Sequence, residues 1–578
     1  MAAPTPNPAE FAANEAFAAL LKCIDSATSF RLEAGAGAGK THSLVEALRY
    51  LIKTRGKELL RNHQRIACIT YTNVATEEIA SRVDRHPAIL ASTIHAFLWS
   101  VIRDFQPFLR EEIAKLESWK ERLEEAGGVG KRSILYTLGH TKVEDDTIFI
   151  HHNDVLIFAA SLLDRPKFRR LLTARFPIIL IDEYQDTDKN VATAITTHLL
   201  GSAEAPLIGF FGDHWQKIYG TGCGLIEHPL VTPIGKRANF RSAPVIVSCL
   251  NRMRPELTQE VKDPESIGSV EVFHTNSFTG KRQTGGHWGD DLPSTNAHDA
   301  LAAALTRLAR SGWDTSPAQT KILMLTHNVL AKEQGYAELA AIFPYNDSFL
   351  KLEDPYVAFF HNVLEPVCEA YQAKQYGKMF ESLGRGTPTI QLHAEKGEWA
   401  HDLDALLRLR ERGTIGEVLA YLQTTKRPRL PTEVQKIETQ LASMGPNIDG
   451  EQYPAAERAS KLHFVPYQQA IALVSFVREN TPFSTQHGVK GAEFENVLVV
   501  LGRGWNQYNF NQLLEWVGQV PADKNESYER NRNLFYVACS RPKRRLALLF
   551  TQKLSAPAIS TLEKWFGKTA LHDILAAT

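Results

Sequence analysis

A glycine-rich loop at residues 34–41 carries the clearest chemical signal in the chain. Its sequence is Ala-Gly-Ala-Gly-Ala-Gly-Lys-Thr, and it lies between an apolar run and a helical pattern. Phosphate binding needs backbone N–H groups that converge on oxygen atoms, which a loop with few Cβ atoms permits. Lys40 would reach the β- and γ-phosphates, and Thr41 would hold Mg²⁺. The loop predicts a nucleotide site formed by Gly35, Gly37, Gly39, Lys40, Thr41 and His42.

Two carboxylates, Asp182 and Glu183, directly follow the apolar run Ile178–Ile181. An Asp-Glu pair at a strand end is by itself usually a solvated turn. Beside a phosphate-binding loop it has a defined task, because Asp182 can hold Mg²⁺ through water and Glu183 can polarise the attacking water. The sequence therefore predicts ATP and Mg²⁺ as cofactors and hydrolysis as the reaction.

Short apolar runs recur along the chain, and most are followed by a helical pattern. Such runs predict strands buried on both faces, and helices between them predict parallel sheets. They fall into two groups, before and after about residue 240, so the predicted fold class is α/β with two parallel-sheet P-loop domains. The runs are residues 30–33, 66–70, 178–181, 207–211, 321–325, 497–501 and 546–550.

Two longer stretches, Leu98–Arg175 and Asp347–Leu462, have a mainly helical pattern and are interpreted as insertions into the two sheets. Residues 277–296 are rich in Gly, Ser, Thr and charge and predict a surface loop. The predicted division is a first α/β domain at 1–97 and 177–238 with an insertion at 98–176, and a second at 239–346 and 464–578 with an insertion at 347–463.

Composition excludes several classes of protein. Lys+Arg and Asp+Glu each number 65, so the chain has no bulk basic excess and does not coat DNA by charge alone. No uninterrupted apolar stretch reaches membrane-spanning length, and the N-terminus lacks a signal-peptide pattern. The cysteines are scattered without a C-x-x-C pair, which favours free thiols in the cytoplasm; they are Cys23, Cys68, Cys223, Cys249, Cys368 and Cys539.

The segment after the two carboxylates extends the motif to Asp-Glu-Tyr-Gln-Asp-Thr at residues 182–187. This segment resembles the second motif of the UvrD/Rep family of superfamily 1 helicases. Other segments of the chain resemble further motifs of this family and occur in the family's order. They are residues 70–73, 92–97, 212–219, 239–242, 487–494 and 534–541. The resemblance implies two RecA-like domains, 1A and 2A, with insertions 1B and 2B.

The resemblance also implies roles for single residues. Arg241 and Arg541 would bring two guanidinium groups from the second α/β domain to the transferred phosphate. Gln216 would sense the γ-phosphate, Glu493 would grip the ribose and Phe240 would stack on adenine. Family positions that contact single-stranded DNA correspond here to Thr70, Tyr71, Thr72, Asn73, Thr93, His95, Tyr219 and His487.

The chain departs from the family pattern at three places. Residues 1–30 contain no glutamine, so the adenine-reading motif is missing and ATP selectivity stays open, although Asn14 could substitute. Val74 stands where a lysine is common. Gly220-Thr221 lacks the tryptophan on which many relatives stack a base; Trp215 is near in sequence but at another position.

The sequence predicts an ATP- and Mg²⁺-dependent translocase on single-stranded DNA, with 3′→5′ helicase activity on tailed duplexes implied by the resemblance. One alternative is a DNA-sensing ATPase subunit that regulates a protein partner, such as a nuclease in antiviral defence. Another is an RNA helicase. The pathway, whether repair, replication restart or defence, is not readable from these residues.

Overall fold

The computed structural model describes the chain except residues 1–6, 138–140, 204, 218–219, 286–288, 317–318, 325–334, 344–346, 351, 384–386, 389, 394, 445–452, 479–482, 486–492, 504–507 and 577–578. The chain divides into two compact units. Unit 1 comprises residues 1–270, 512–546 and 557–570, and unit 2 comprises residues 271–511, 547–556 and 571–578. Unit 1 therefore extends past the predicted boundary at residue 238 and includes two later segments. The finer six-part division stays a prediction.

A parallel sheet forms the centre of unit 1, as the apolar runs predicted. In the described residues it has six strands in the order β3-β2-β7-β8-β1-β9. Its strands pair in parallel, with Phe30 opposite Gly209 and Ile66 opposite Ile178. Its strands are β1 (Phe30–Ala34), β2 (Ile66–Thr70), β3 (Ile89–Thr93), β7 (Ile178–Asp182), β8 (Leu207–Gly212) and β9 (Thr232–Lys236).

Helices connect these strands and leave the loop ends of β1, β7 and β8 free for chemistry. The first helix, Pro8–Asp25, starts with a capping box between Asn7 and Glu10. The remaining α-helices of unit 1 are Lys40–Arg61, Asn73–Arg82, Ile94–Ile102, Gln106–Ile113, Glu117–Glu125, His152–Leu163, Pro166–Arg175, Lys189–Ala194, Pro244–Met253 and Asn525–Cys539. A π-helical turn, Ile195–Leu199, continues one of them.

The first predicted insertion is mainly helical but also holds a small sheet that the pattern did not predict. Its strands are β4 (Ser133–Tyr136), β5 (Lys142–Val143) and β6 (Thr147–Ile150), in the order β4-β6-β5. Strands of two to four residues are too short to show a clear period of two. A buried hydrogen bond from Trp119 Nε1 to Asp154 Oδ1, at 3.2 Å, joins two helices of this region.

A second six-stranded parallel sheet, counted over the described residues, has the order β14-β13-β15-β16-β12-β17. Its strands are β12 (Ser269–His274), β13 (Thr320–Met324), β14 (Phe483–Thr485), β15 (Phe494–Leu501), β16 (Pro542–Phe550) and β17 (Leu571–Asp573). A further parallel pair, β10 (Ala238–Asn239) with β11 (Glu260–Val261), lies in unit 1. The α/β fold class with parallel sheets and flanking helices is confirmed.

The second predicted insertion is helical throughout the described residues and packs on a core that includes Leu403, Leu419 and Leu473. A buried ion pair between Arg410 and Glu365 lies inside it, and Tyr467 donates to the same carboxylate at 2.8 Å. The α-helices of unit 2 are Ser294–Arg310, Ala337–Ala341, Asp347–Leu350, Pro355–Phe359, Glu365–Gln372, Tyr376–Ser382, Glu395–Arg412, Ile415–Thr425, Thr432–Ser443, Pro454–Leu462 and Tyr467–Val477. Phe510–Glu515 and Ala556–Phe566 lie where the chain passes between the units.

No helix in the described part of the chain has the length and apolar character needed to cross a bilayer. All six cysteines are free thiols, and five of them are buried. Burial raises the pKa of Cys223 to about 12, so this half-buried thiol is protonated at neutral pH.

Candidate functional site

The glycine-rich loop has the backbone shape that phosphate binding requires. It leaves β1 at Ala34 and enters the helix Lys40–Arg61 through Gly39. Gly37 and Gly39 have φ angles of 74° and 72°, in the left-handed region that favours glycine. A Cβ atom on Gly37 would lie 2.8 Å from Asn239 Oδ1. The backbone angle therefore explains the glycine at both positions, and lack of space is a second reason at Gly37.

Lys40 and the two carboxylates meet at the ends of neighbouring elements. The Nζ atom of Lys40 lies 2.6 Å from Glu183 Oε2 and 4.0 Å from Asp182 Oδ1. Burial by itself would lower the pKa of Lys40, but the charges of Glu183 and Asp182 outweigh it and raise that pKa. Lys40 is therefore a fixed cation beside two anions, where a phosphate group would compete for it.

Glu183 stands in an unusual backbone conformation. Its φ of 49° and ψ of 42° are left-handed, which is uncommon for a residue with a long side chain. The Gln185 side chain donates to Glu183 Oε2, and Gln185 Oε1 accepts from the backbone N–H of Asp213 at 3.0 Å. Gln185 thus positions the predicted water-polarising carboxylate and joins it to the end of β8. Backbone strain of this kind is concentrated at functional sites.

The residues present fit ATP and Mg²⁺. Asp182 supplies a buried carboxylate and Thr41 a half-buried hydroxyl, and Mg²⁺ prefers oxygen ligands of these kinds. The loop has no Cβ atom at Gly35, Gly37 or Gly39, and Lys40 supplies the cation for phosphate. His42, predicted to contact the nucleotide, is exposed on the first turn of the same helix.

Two side-chain amides that sequence reasoning did not assign hold the loop from one side. The carbonyl oxygen of Ala36 accepts hydrogen bonds from Asn239 Nδ2 and from Gln259 Nε2, both at 3.1 Å. A Cβ on Gly35 would lie 2.7 Å from Gln259 Nε2, so close packing explains that glycine. Gln259 lies outside the recognised motifs, and no sequence signal marked it.

The two predicted arginine fingers share one partner segment. Arg241 NH1 donates to the backbone carbonyl of Ser540 at 3.0 Å. Arg541 is 1% exposed, and its Nε donates to the carbonyl of Val537 at 3.0 Å. The resemblance predicted that both would come from the second α/β domain, whereas both belong to the compact unit that holds the phosphate loop. Arg541 directly precedes β16, a strand of the second six-stranded sheet. This position explains why the sequence assigned Arg541 to the second α/β domain.

Lys236, at the end of β9, is a second lysine beside the loop. Its Nζ donates to the carbonyl of Gly39 at 3.0 Å and to Ser43 Oγ at 2.8 Å. Burial lowers its pKa to about 8. Phe240, the predicted adenine-stacking residue, has its ring 5.9 Å from this Nζ and is 36% exposed. No motif marked Lys236, because it stands in an ordinary strand position.

A buried polar network lies under the loop. Glu33 accepts from Tyr184 OH at 2.7 Å and from the backbone N–H of His214 at 2.8 Å. Burial would raise the pKa of Glu33, but His214 and Tyr184 outweigh it and lower that pKa to about 2. Arg254 NH1 lies 2.7 Å from Asp213 Oδ1.

Glu33, Asp213 and His214 have metal-ligand spacing, the one such group among the described residues. A guanidinium already occupies its cation position, because Arg254 lies within 3.6 Å of Glu33 as well as beside Asp213. The group is therefore interpreted as a structural ion-pair network.

Gln216, the predicted phosphate sensor, donates to Asp213 Oδ2 at 2.8 Å and so joins this network. Trp215 is 7% exposed. Arg254 lies 5.1 Å and Arg532 4.2 Å from its ring. Trp215 is thus enclosed by two guanidinium groups and presents no open face for a base.

The predicted DNA-contact positions that the structure describes differ in their exposure to solvent. Tyr71, Thr72 and Asn73 are exposed at the start of a helix, and Thr93 and His95 are half-buried at the start of the next helix. Thr70 is 1% exposed, with its hydroxyl 2.7 Å from that of Thr76. Thr70 thus orders the loop that presents the exposed three. Tyr219 and His487 lie outside the described residues, and Glu493 is exposed just before β15 in unit 2.

Comparison with known proteins agrees with a P-loop domain. Residues 19–222 match an AAA domain family. The chain is also similar to Gabija protein GajB of Bacillus cereus (strain HuB5-5), with 24% identity, covering 95% of this chain and 97% of that protein. The matched domain contains Lys40, Glu183 and Gln216. These likenesses support a nucleotide-binding P-loop domain in residues 19–222.

Proposed function

We propose that the chain is a DNA-directed ATPase that translocates on single-stranded DNA and couples ATP hydrolysis to unwinding of tailed duplexes in the 3′→5′ direction. The observation that carries this proposal is the convergence of Lys40, Asp182 and Glu183 at one glycine-rich loop. Gln185 and Gln216 connect that centre to the end of β8. The order of the helicase-like motifs supplies the DNA part of the proposal.

In this account Lys40 binds the β- and γ-phosphates after releasing Glu183. Glu183 then orients the attacking water and accepts its proton. Asp182 and Thr41 would hold Mg²⁺, which would neutralise charge at the phosphate oxygens. Arg241 and Arg541 contribute positive charge toward the transferred group, where spread negative charge develops.

The ATP site and the predicted strand surface share the same sheet. Tyr71 follows β2 and Thr93 ends β3, while Asp182 ends β7 between β2 and β8. The carboxyl ends of parallel strands meet at one edge, so a change at Asp182 would reach these loops through neighbouring strands. This arrangement supports coupling between nucleotide state and grip on the strand.

The unwinding part is tested with the purified full chain on three duplexes that carry a 3′ tail, a 5′ tail or no tail. We expect ATP-dependent strand displacement on the 3′-tailed duplex alone, with Lys40→Ala as the inactive control. Displacement of the 5′-tailed duplex instead would show that the chain moves in the 5′→3′ direction. ATP hydrolysis stimulated by RNA but not by DNA of the same sequence would contradict the DNA substrate.

A second candidate is a DNA-sensing ATPase subunit that regulates a protein partner, such as a nuclease in antiviral defence. It is favoured by Val74, which is 79% exposed where a phosphate-binding lysine is common, and by the nearly full-length likeness to Gabija protein GajB. DNA-stimulated hydrolysis without strand displacement by the chain alone would support this candidate over the translocase.

A further inference from the structure

Five partly exposed aromatic rings of unit 1 form a series that begins at the predicted strand-contact residue His95 and branches at His152. Its ring centroid lies 4.6 Å from that of His152, which lies 5.1 Å from His151 and 5.3 Å from Tyr136. Tyr136 in turn lies 6.0 Å from Trp99. We call Trp99, Tyr136, His152, His151 and His95 the ring series.

The rings are brought together by three separate elements. His95 and Trp99 are four residues apart on the helix Ile94–Ile102 and therefore share one face. Tyr136 ends β4, and His151 and His152 follow β6 at the start of the next helix. A hydrogen bond between Tyr136 OH and His152 Nδ1 fixes the middle of the series.

These rings lie at the edge of the core, against which Trp99 and Tyr136 pack. His151 is exposed and the other four are half-buried, whereas Trp119 in the same region is 1% exposed. Burial, with His152 and His151 next, lowers the pKa of His95 to about 4, and burial with His151 lowers that of His152. Lowered pKa values favour the uncharged form of both rings at neutral pH, and both side chains stay partly exposed.

We propose that the ring series is a base-stacking surface that continues the single-strand path from Thr93 and His95 onto the small sheet of the first insertion. The proposal rests on the proposed function, since it assumes that the chain binds single-stranded DNA. Base stacking on aromatic side chains tolerates every sequence, as a motor that moves along DNA requires.

Other ligands fit the series less well. A metal ion would need nitrogen and oxygen atoms converging within a common sphere, and the described residues with that spacing do not include these histidines. An apolar protein partner would call for aliphatic side chains, whereas all five members carry a polar atom at the edge of the ring. Thr93, whose hydroxyl does not cap its helix, stands beside His95 for contact with the strand backbone.

The test uses fluorescence anisotropy of the full chain with a labelled oligothymidine and with an abasic oligomer of equal length and charge. We expect His152→Ala and Tyr136→Ala each to weaken oligothymidine binding about tenfold, the size of one stacking contact, and to leave abasic binding unchanged. His152→Phe, which keeps a flat ring, should retain affinity. Leu135→Ala is the matched control, because this 45% exposed residue adjoins Tyr136 on the opposite face of β4.

Three results would overturn the proposal. The alanine variants could bind oligothymidine as the wild type does. They could lose equal affinity for both oligomers, which would indicate backbone contact. His152→Phe could fail like His152→Ala while keeping the wild-type melting temperature. A wild-type chain that bound neither oligomer would instead contradict the proposed function, so the two failures are distinguishable.

Discussion

The Nζ atom of Lys40 lies 2.6 Å from the Oε2 atom of Glu183, so the predicted phosphate ligand and the predicted base neutralise each other without nucleotide. The side chains are 12% and 26% exposed, which makes the pair largely sheltered from solvent. Binding of a phosphate at Lys40 would separate them and release Glu183 for the attacking water. Ligand binding and activation of the base are thereby one event.

This pair predicts a specific pattern of stability. Lys40→Ala leaves Glu183 and Asp182 without their cation and should destabilise the nucleotide-free protein by about 2–3 kcal/mol. The double variant Lys40→Ala/Glu183→Gln should recover about half of that loss, while hydrolysis stays absent in both. Thermal unfolding of the four proteins of this double-mutant cycle measures the coupling. Additive losses would show that the ion pair contributes no coupling energy.

Glu183→Gln should separate binding from turnover. The amide keeps the shape of the side chain but cannot accept a proton, so we expect turnover to fall at least about 100-fold. Nucleotide affinity should stay equal or rise, because a competitor for Lys40 loses its charge. Single-turnover hydrolysis and titration with a fluorescent nucleotide measure the two quantities. Unchanged turnover would remove Glu183 from the role of base.

Arg541→Lys tests the second predicted finger. Lysine keeps the charge but loses the planar group that donates to Val537, so we expect turnover to fall about tenfold or more with little change in affinity. Arg252→Lys is a control in unit 1, since Arg252 donates to the carbonyl of Trp565 and belongs to none of the helicase-like motifs. Loss of affinity alone would make Arg541 a binding residue.

Lys236 predicts a pH dependence of stability. Its folded pKa of about 8 lies below the ordinary 10.5, so between these values the unfolded chain binds more protons than the folded one. The penalty for burying its charge is therefore complete below pH 8 and is relieved as the pH rises toward 10.5. Relative to Lys236→Met, the wild type should gain roughly 2–4 °C in melting temperature between pH 7 and 9. A constant difference would contradict the lowered pKa.

His95 predicts the corresponding effect in acid. Burial, His152 and His151 lower its pKa to about 4 from 6.5, and Asp188 opposes them only in part. The folded chain thus binds fewer protons than the unfolded chain between these values, so stability falls as the pH drops from 6.5 toward 4. The melting temperature of His95→Gln should therefore fall less than that of the wild type, by roughly 1–2 °C at pH 5. Parallel melting curves for both proteins across this range would contradict the prediction.

Sequence reasoning reached the parts of the site that depend on local pattern. The glycine loop, Asp182 and the strands that hold them are contiguous signals, and the structure has the predicted elements there. Gln259 and Lys236 could not be found in this way. Each acts through a partner about 200 residues away, and each is an ordinary polar residue in its own segment.

The short strands β4 to β6 and the extent of unit 1 were also beyond the local pattern. Strands of two to four residues give too few side chains to show alternation. The return of residues 512–546 and 557–570 to the first unit depends on contacts between distant segments. The ring series has the same origin, because Trp99, Tyr136 and His152 come from three elements.

The central claim is that single-stranded DNA controls ATP hydrolysis at Lys40 and Glu183. The most direct measurement is the steady-state ATPase rate of the purified full chain with and without single-stranded DNA, with Lys40→Ala as the blank. The account predicts at least about tenfold stimulation by DNA and no hydrolysis in the variant. A rate that DNA leaves unchanged, or robust turnover by Lys40→Ala, would contradict it.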